Sequence, residues 1–140
     1  MRVIVDTNVL VSGLISETGP PARIVDAVLT GEVIPVMSPE TFAELEDVLY
    51  RPELQRYFRR GGITAFQFLT ALAQVAQLVR PGTSTMPIRD QKDRSFLELA
   101  ASRPAVDYLV TGDKDFENQR YEGVPVISAS LFVEEILKPE

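Results

Sequence analysis

The chain has 140 residues, of which 45% are apolar, and this length and composition predict a single domain over residues 1–140. It contains neither cysteine nor histidine, so disulfide bridges, thiolate metal ligands and histidine general bases are excluded. Catalysis would have to rely on carboxylates, hydroxyls, amides, lysine or arginine. The formal net charge of −6 argues against non-specific nucleic-acid binding, unless bound cations mask several of the acids.

No apolar segment approaches the roughly 20 residues that are needed to span a bilayer. The apolar start of the chain, Val3-Ile4-Val5, is interrupted at once by Asp6, which is unlike a secretory signal peptide. We therefore expect a soluble, cytoplasmic protein with no membrane association.

Apolar periodicity, caps and breakers predict alternating strands and helices along the whole chain. In chain order the predicted elements are a strand at 2–5, a helix at 7–14, a helix at 22–29, a strand at 33–37, a helix at 39–49, a short polar helix at 53–60, a long apolar helix at 63–79, a helix from 93 to near 104, a strand at 107–111, a strand at 124–127 and a closing helix at 130–137. Ser38 is the predicted N-cap of the helix that Pro39 begins. Pro125 predicts an edge position for the last strand, since proline cannot donate to a ladder.

This alternation predicts an α/β fold with a parallel sheet covered by helices on both faces. In such sheets ligands bind beyond the carboxyl ends of the strands. Asp6 ends the first predicted strand, and Asp113 follows the strand that ends at Thr111. Glu44 and Asp93 belong to helices that the same topology brings toward this edge.

Each of these acids also has a structural interpretation. Asp6 is equally typical of a helix N-cap, and a turn explains Asp113 and Asp115. Glu44 shares its helix with three further acids, which is typical of a solvated face, although Glu44 lies beside the apolar seam. Of Asp90 and Asp93, one is expected to be a helix cap. We take Asp93 as the functional acid, because it begins an apolar periodicity.

Taken together, the acids predict a divalent metal site. Several carboxylates at one sheet edge cannot all stay ionised without a cation beside them. Oxygen ligands without histidine or cysteine favour magnesium or manganese, and such sites commonly cut phosphodiesters. Thr7, Asn8 and Thr111 are the hydroxyl and amide residues expected to hold a carboxylate or a bound water in place.

These motifs make the sequence resemble the PIN-domain ribonucleases, and most closely the VapC-like toxin components of toxin–antitoxin systems. The resemblance runs nearly end to end and is most distinctive from Asp107 to Phe116. It implies a three-layer α/β/α sandwich around a mostly parallel sheet, Mg²⁺ or Mn²⁺ as cofactor, RNA as substrate and an antitoxin as partner. The family's acidic quartet falls on Asp6, Glu44, Asp93 and Asp113, with Asn8, Thr111 and Asp115 at auxiliary positions. Lys92 stands where relatives often carry another acid, which leaves that extra carboxylate in doubt.

One basic and aromatic segment is a candidate for gripping RNA. It contains Arg51, Arg56, Arg59 and Arg60 together with Tyr50, Tyr57 and Phe58, and Lys114 is a further candidate near the acids. A solvated helix surface or an oligomer contact explains the segment equally well. The apolar helix at 63–79 is expected either to complete the core or to form a homodimer interface or antitoxin groove. Core packing is the preferred interpretation, with one face made of Phe66, Leu69, Leu72, Val75 and Ala76.

Three alternatives to a ribonuclease remain open. A receiver-type signalling domain also binds magnesium and accepts phosphate on one Asp, but it normally has paired acids early in the chain, and Glu44 would have no role in it. A haloacid-dehalogenase-like phosphatase needs a second acid where Asn8 stands. A catalytically degenerate PIN domain that only binds RNA or protein would be expected to lack part of the quartet.

Overall fold

A mostly parallel sheet forms the centre of the fold. The computed structural model describes residues 1–58, 63–83, 94–102, 105–112 and 120–137. Within these residues the strands are β1 Arg2–Val5, β2 Ile34–Met37, β3 Gln77–Leu78, β4 Tyr108–Thr111, β5 Arg120–Tyr121 and β6 Val124–Ser128. They form a six-stranded sheet in the order β3-β2-β1-β4-β6-β5, in which β5 pairs antiparallel and every other pairing is parallel.

Helices cover both faces of this sheet, as the sequence predicted. The helices in the described residues are α1 Thr7–Ile15, α2 Pro20–Leu29, α3 Pro39–Leu49, α4 Pro52–Phe58, α5 Ala65–Val75, α6 Arg94–Ala100 and α7 Ala129–Leu131, and α7 continues as a π-helical turn, Phe132–Ile136. None of the helices found in the described part of the chain is long and apolar enough to cross a membrane.

Alternation along the strands divides the core into two clusters. Val3 and Val5 pack in the cluster that contains the buried residues of α1, α2, α3 and α5. Ile4 points to the opposite face and packs with Phe96 and Leu99 of α6. Because successive side chains of a strand point to opposite faces, a single strand of apolar residues serves both cores. The near-continuous apolar sequence of β1 is explained in this way.

Helix α3 begins where the sequence predicted. The Ser38 hydroxyl accepts a hydrogen bond from the Thr41 N–H at 3.2 Å, and the Thr41 hydroxyl accepts one from the Ser38 N–H at 2.9 Å. Pro39 occupies the first turn, where its missing N–H costs nothing. Ser38 directly follows β2, so this cap fixes the direction in which the chain leaves the sheet edge.

Close packing of α1 against α2 depends on Gly13. A Cβ built on Gly13 would lie 2.3 Å from the Pro21 carbonyl oxygen and 2.5 Å from a Val25 methyl carbon. Any larger residue would therefore push the two helices apart. This contact holds in position the helix whose N-cap is Asp6.

The predicted helix at 63–79 is wrong in its length and in part of its buried face. The helix is α5, Ala65–Val75, and after Ala76 the chain is extended and forms the edge strand β3. Phe68 is fully buried, whereas Phe66, which was expected to face the core, is 68% exposed. The true N-cap is Thr64, whose box with Gln67 sets the rotation of the helix.

The edge position predicted for the last strand is also wrong. Strand β6 lies between β4 and the short strand β5, which the sequence analysis did not find. Because β5 is only two residues long, the missing N–H of Pro125 costs little pairing there.

Candidate functional site

Asp6 connects the end of β1 to the start of α1 and to the neighbouring strand β4. Its N–H donates to the Val110 carbonyl oxygen at 2.9 Å, and its own carbonyl oxygen accepts from the Val9 N–H at 3.0 Å. Its side chain is the N-cap of α1, because Oδ1 accepts a hydrogen bond from the Asn8 N–H at 3.1 Å. The N-cap alternative is therefore a real role of Asp6, and it leaves the half-buried carboxylate at the edge of the sheet.

Thr111 stands beside Asp6 at the end of β4. The pairing of Val5 with Val110 places the next residues of the two strands side by side. The Thr111 hydroxyl, which is 3% exposed, donates to Asp6 Oδ2 at 3.4 Å. Both carboxylate oxygens of Asp6 are thus oriented, one by a main-chain N–H and the other by a buried hydroxyl.

The two strands meet at the topological switch point of the sheet. The chain passes from β1 to β2 on one side, while β4 lies on the other side of β1. In open α/β sheets the crevice beyond the carboxyl ends of such strands is the usual ligand site. Asp6 and Thr111 therefore lie where this topology places a binding site.

The neighbouring polar residues differ in accessibility. Thr7 is 6% exposed in the first turn of α1, whereas the Asn8 side chain is exposed. The main-chain N–H of Asn8 binds the Asp6 carboxylate. The side-chain amide of Asn8 is open to solvent at this edge of the sheet.

Glu44 is the half-buried acid of α3, and Glu40, Glu46 and Asp47 on the same helix are exposed. Helix α3 packs on α1, α5, α6 and β2, which fixes its position beside the sheet. Glu44 takes part in at least one further polar interaction. The seam position that the sequence indicated for Glu44 is the position observed.

Several predicted site residues lie outside the described residues. They are Asp90, Asp93, Asp113, Lys114 and Asp115, together with Arg59 and Arg60 of the basic segment. The described elements end directly beside some of them: α6 begins at Arg94, and β4 ends at Thr111. Among the residues that the structure describes, no group of three or more acidic side chains could hold a metal ion, and only Asp6 and Glu44 of the predicted quartet belong to that part.

The basic and aromatic segment is only partly as predicted. Arg51 is exposed and lies 4.0 Å from Asp47, and Arg56 stacks on Tyr57 with its guanidinium carbon 4.9 Å from the ring centroid. Phe58, however, is 2% exposed and belongs to the core, so it cannot stack on bases. The prediction that Phe58 would be available to stack on bases is wrong because Phe58 lies four residues after Leu54, and the two side chains share the face of α4 that packs on the core.

One feature was not found from the sequence. A polar cavity lies between the start of α3 and α6, with Glu40 on one side and Arg94 and Glu98 on the other. Its signal in the sequence is the four-residue spacing of Arg94 and Glu98, which places both on one face of a helix.

Comparison with known proteins decides the family. The model of the PIN domain matches residues 2–115 of this chain. The chain belongs to the PIN domain family. An uncharacterized protein of Methanocaldococcus jannaschii is 30% identical over 122 residues, which cover 87% of this chain and 77% of that protein. PIN domains are generally nucleases and typically use divalent metal ions.

The donor groups at the sheet edge suit such an ion. The described candidates are carboxylate oxygens and a hydroxyl, and the whole chain has no histidine or cysteine. Hard divalent cations such as Mg²⁺ and Mn²⁺ prefer oxygen ligands of this kind.

Proposed function

We propose that this PIN domain is a divalent-metal-dependent endoribonuclease that hydrolyses RNA phosphodiester bonds. Its centre would consist of the carboxylates of Asp6, Glu44, Asp93 and Asp113, with Thr7, Asn8, Thr111, Asp90 and Asp115 in auxiliary positions. The observation that carries the proposal is the carboxylate of Asp6, which two hydrogen bonds orient at the switch point of the sheet. A helix cap needs only the first of these bonds.

The chain's own residues would orient the carboxylates of the centre and accept a proton from the attacking water. The Thr111 hydroxyl and the Asn8 N–H hold the Asp6 carboxylate in one orientation, so that little reorganisation is needed when a cation or a phosphate arrives. Glu44, half-buried on α3, would place a second carboxylate against the same site. One of these carboxylates would accept the proton of the attacking water.

Mg²⁺ or Mn²⁺ held by these oxygens would supply Lewis-acid stabilisation of the phosphate charge and lower the pKa of a water near it. This chemistry fits a chain without histidine, because no side chain here has an ordinary pKa near neutrality. The expected products are a 5′-phosphate and a 3′-hydroxyl.

Binding of RNA beyond the scissile phosphate would require cations near the acidic centre. Arg51 and Arg56 are exposed on the described part of the basic segment, and Arg59, Arg60 and Lys114 are further candidates. We propose that these residues contact the RNA backbone, while Tyr50, which is 48% exposed, offers a ring for stacking.

The biological role that we propose is that of the toxin in a toxin–antitoxin pair, acting as a homodimer in the cytoplasm. This part of the proposal rests on the sequence resemblance to VapC-like proteins. Growth arrest on expression of the chain, relieved by Glu44→Gln, would support it. Normal growth with active, soluble protein in the cell would contradict it.

The nuclease itself is tested by cleavage of labelled single-stranded RNAs in Mn²⁺, Mg²⁺ or EDTA. We expect the native chain to cut RNA in Mn²⁺ or Mg²⁺ but not in EDTA. We expect the Asp6→Asn and Glu44→Gln variants not to cut in either metal. Asp26→Asn on α2 and Glu46→Gln on α3 are matched controls at exposed acids and should cut like the native chain. Cutting that persists in EDTA or in Asp6→Asn would contradict the proposal.

A further inference from the structure

A small polar cavity lies where the beginnings of α3 and α6 meet the chain after β3. Its volume is about 270 Å³, below the roughly 300–1,000 Å³ that is usual for drug-sized ligands. A space of this size suits one compact planar group, either a single ring or two fused rings. The lining residues are Ser38, Glu40, Pro81, Arg94, Ser95 and Glu98.

This cavity is at the same edge of the sheet as the proposed centre. Ser38 directly follows β2, which is the parallel neighbour of β1, and Asp6 directly follows β1. Glu40 and Glu44 are four residues apart on α3, so they share a face and are separated by about 6 Å along the helix axis. A ligand that contacts both Glu44 and the cavity therefore needs to span only about one turn of α3.

The wall of the cavity is held by tight packing. The Gly82 N–H donates to the Glu98 carbonyl oxygen at 2.9 Å, which fastens the chain after β3 onto α6. A Cβ on Gly82 would lie 2.3 Å from the Ala101 carbonyl oxygen, so the two segments are in direct main-chain contact. The position of Pro81 beside Glu98 is thereby fixed.

The cavity combines acceptors and donors in a defined arrangement. Arg94 and Glu98 are four residues apart on α6 and lie on one face of that helix. The carboxylates of Glu40 and Glu98 line the cavity and can accept hydrogen bonds from a ligand. Arg94 and Ser95 line the α6 side of the cavity, and each already takes part in another interaction. A guanidinium has five N–H donors, so Arg94 can also donate to a ligand.

We propose that this cavity binds the guanine base of a nucleotide next to the scissile phosphate, a proposal that rests on the ribonuclease function above. Guanine has N–H donors at N1 and N2 beside acceptors at O6 and N7. The Glu98 carboxylate would accept from N1 and N2, and Arg94 would donate to the acceptors, which is the pairing that arginine favours at guanine. Unpaired RNA presents these edges, because its bases can turn out of the stack.

Binding rather than cleavage tests the cavity, so that the test does not depend on nuclease activity. The probes are labelled oligouridines that carry one guanosine, inosine, adenosine or cytidine, titrated in EDTA with the 140-residue chain. We expect roughly tenfold tighter binding of the guanosine probe than of the adenosine or cytidine probe, the scale of one bidentate base contact. Inosine lacks the amino group at position 2 and should fall between them.

Glu98→Gln should remove the preference for guanosine, because an amide offers a donor where the base also has donors. Glu46→Gln, the same change on the exposed side of α3, should leave the preference intact. Urea denaturation of both variants checks that they fold like the native chain.

The two proposals fail in different ways. A guanosine preference that Glu98→Gln removes supports the cavity even if the native chain cuts no RNA, and that failure would fall on the ribonuclease alone. Equal binding of all four probes, no measurable binding of any, or a preference unchanged in Glu98→Gln would overturn the cavity assignment, whether or not the chain cuts RNA.

Discussion

The hydroxyl of Thr111 donates to Asp6 Oδ2 across the boundary between β4 and β1. The distance of 3.4 Å is long for a hydroxyl–carboxylate hydrogen bond, so this contact orients the carboxylate more than it stabilises the fold. The residues are 105 positions apart in sequence and meet because the strands pair in parallel with Val5 opposite Val110. A polar contact of this kind inside a buried sheet edge is consistent with a site that must hold charge.

Thr111→Val tests that contact, because valine keeps the shape of threonine and removes the hydroxyl. We expect RNA cleavage to fall about 10- to 100-fold, the usual effect of losing a group that orients a metal ligand. Thr111→Ser keeps the hydroxyl and should retain most of the activity. Equal activity of the Val and Ser variants would mean that the hydroxyl does not serve the site.

The pair Phe66 and Phe68 tests the packing of α5. Phe68→Ala should lower the free energy of unfolding by about 3–5 kcal/mol, because it leaves a cavity in the core. Phe66→Ala should change it by less than about 1 kcal/mol, because 68% of that side chain is already exposed. Urea denaturation measures both values. A larger loss for Phe66→Ala would show that α5 is rotated, or that Phe66 is covered by a second chain.

The order of elements and the fold class could be predicted, because apolar runs and caps are local signals. Ser38 and Pro39 marked the start of α3, and the acid after Val3-Ile4-Val5 marked the end of β1. The predicted three-layer arrangement is confirmed by the two apolar clusters on opposite faces of the sheet.

Other features depend on contacts between distant segments. Strands β3 and β5 have two residues each and exist only because a neighbouring strand pairs with them. The inward rotation of Phe58 and the outward rotation of Phe66 follow from how α4 and α5 pack, which apolar content alone does not determine. The hydrogen bond from Thr111 to Asp6 could not be predicted without the register of the sheet, although the sequence had already indicated both residues as candidates.

Gly13 should be sensitive to the addition of a single methyl group. Gly13→Ala raises helix propensity but places a methyl group against the Pro21 carbonyl and Val25, so we expect a net loss of about 1–3 kcal/mol in unfolding free energy. Ser12→Ala, at an exposed position of the same helix, is the matched control and should be near neutral. An increase in stability on Gly13→Ala would contradict the close approach of α1 and α2.

Arg56 should contribute to RNA affinity through its charge, whatever the sequence of the RNA. Arg56→Gln should weaken binding of all RNAs alike and reduce the dependence of log affinity on log salt by about one phosphate contact. Arg23→Gln is a control on α2, where the guanidinium already pairs with Glu32 at 2.9 Å. If both variants bind RNA with the native salt dependence, the segment around Arg56 is not part of the RNA surface.

The measurement that tests the central claim most directly is a Mn²⁺ titration of the purified chain followed by electron paramagnetic resonance, because it requires no knowledge of the RNA target. We expect saturable binding of Mn²⁺ by the native chain and by Asp26→Asn, and an affinity at least about tenfold weaker in Asp6→Asn. Asparagine also caps helices well, so Asp6→Asn should stay folded. Equal Mn²⁺ affinity of the native chain and Asp6→Asn would show that Asp6 is not a metal ligand and would contradict the proposed centre.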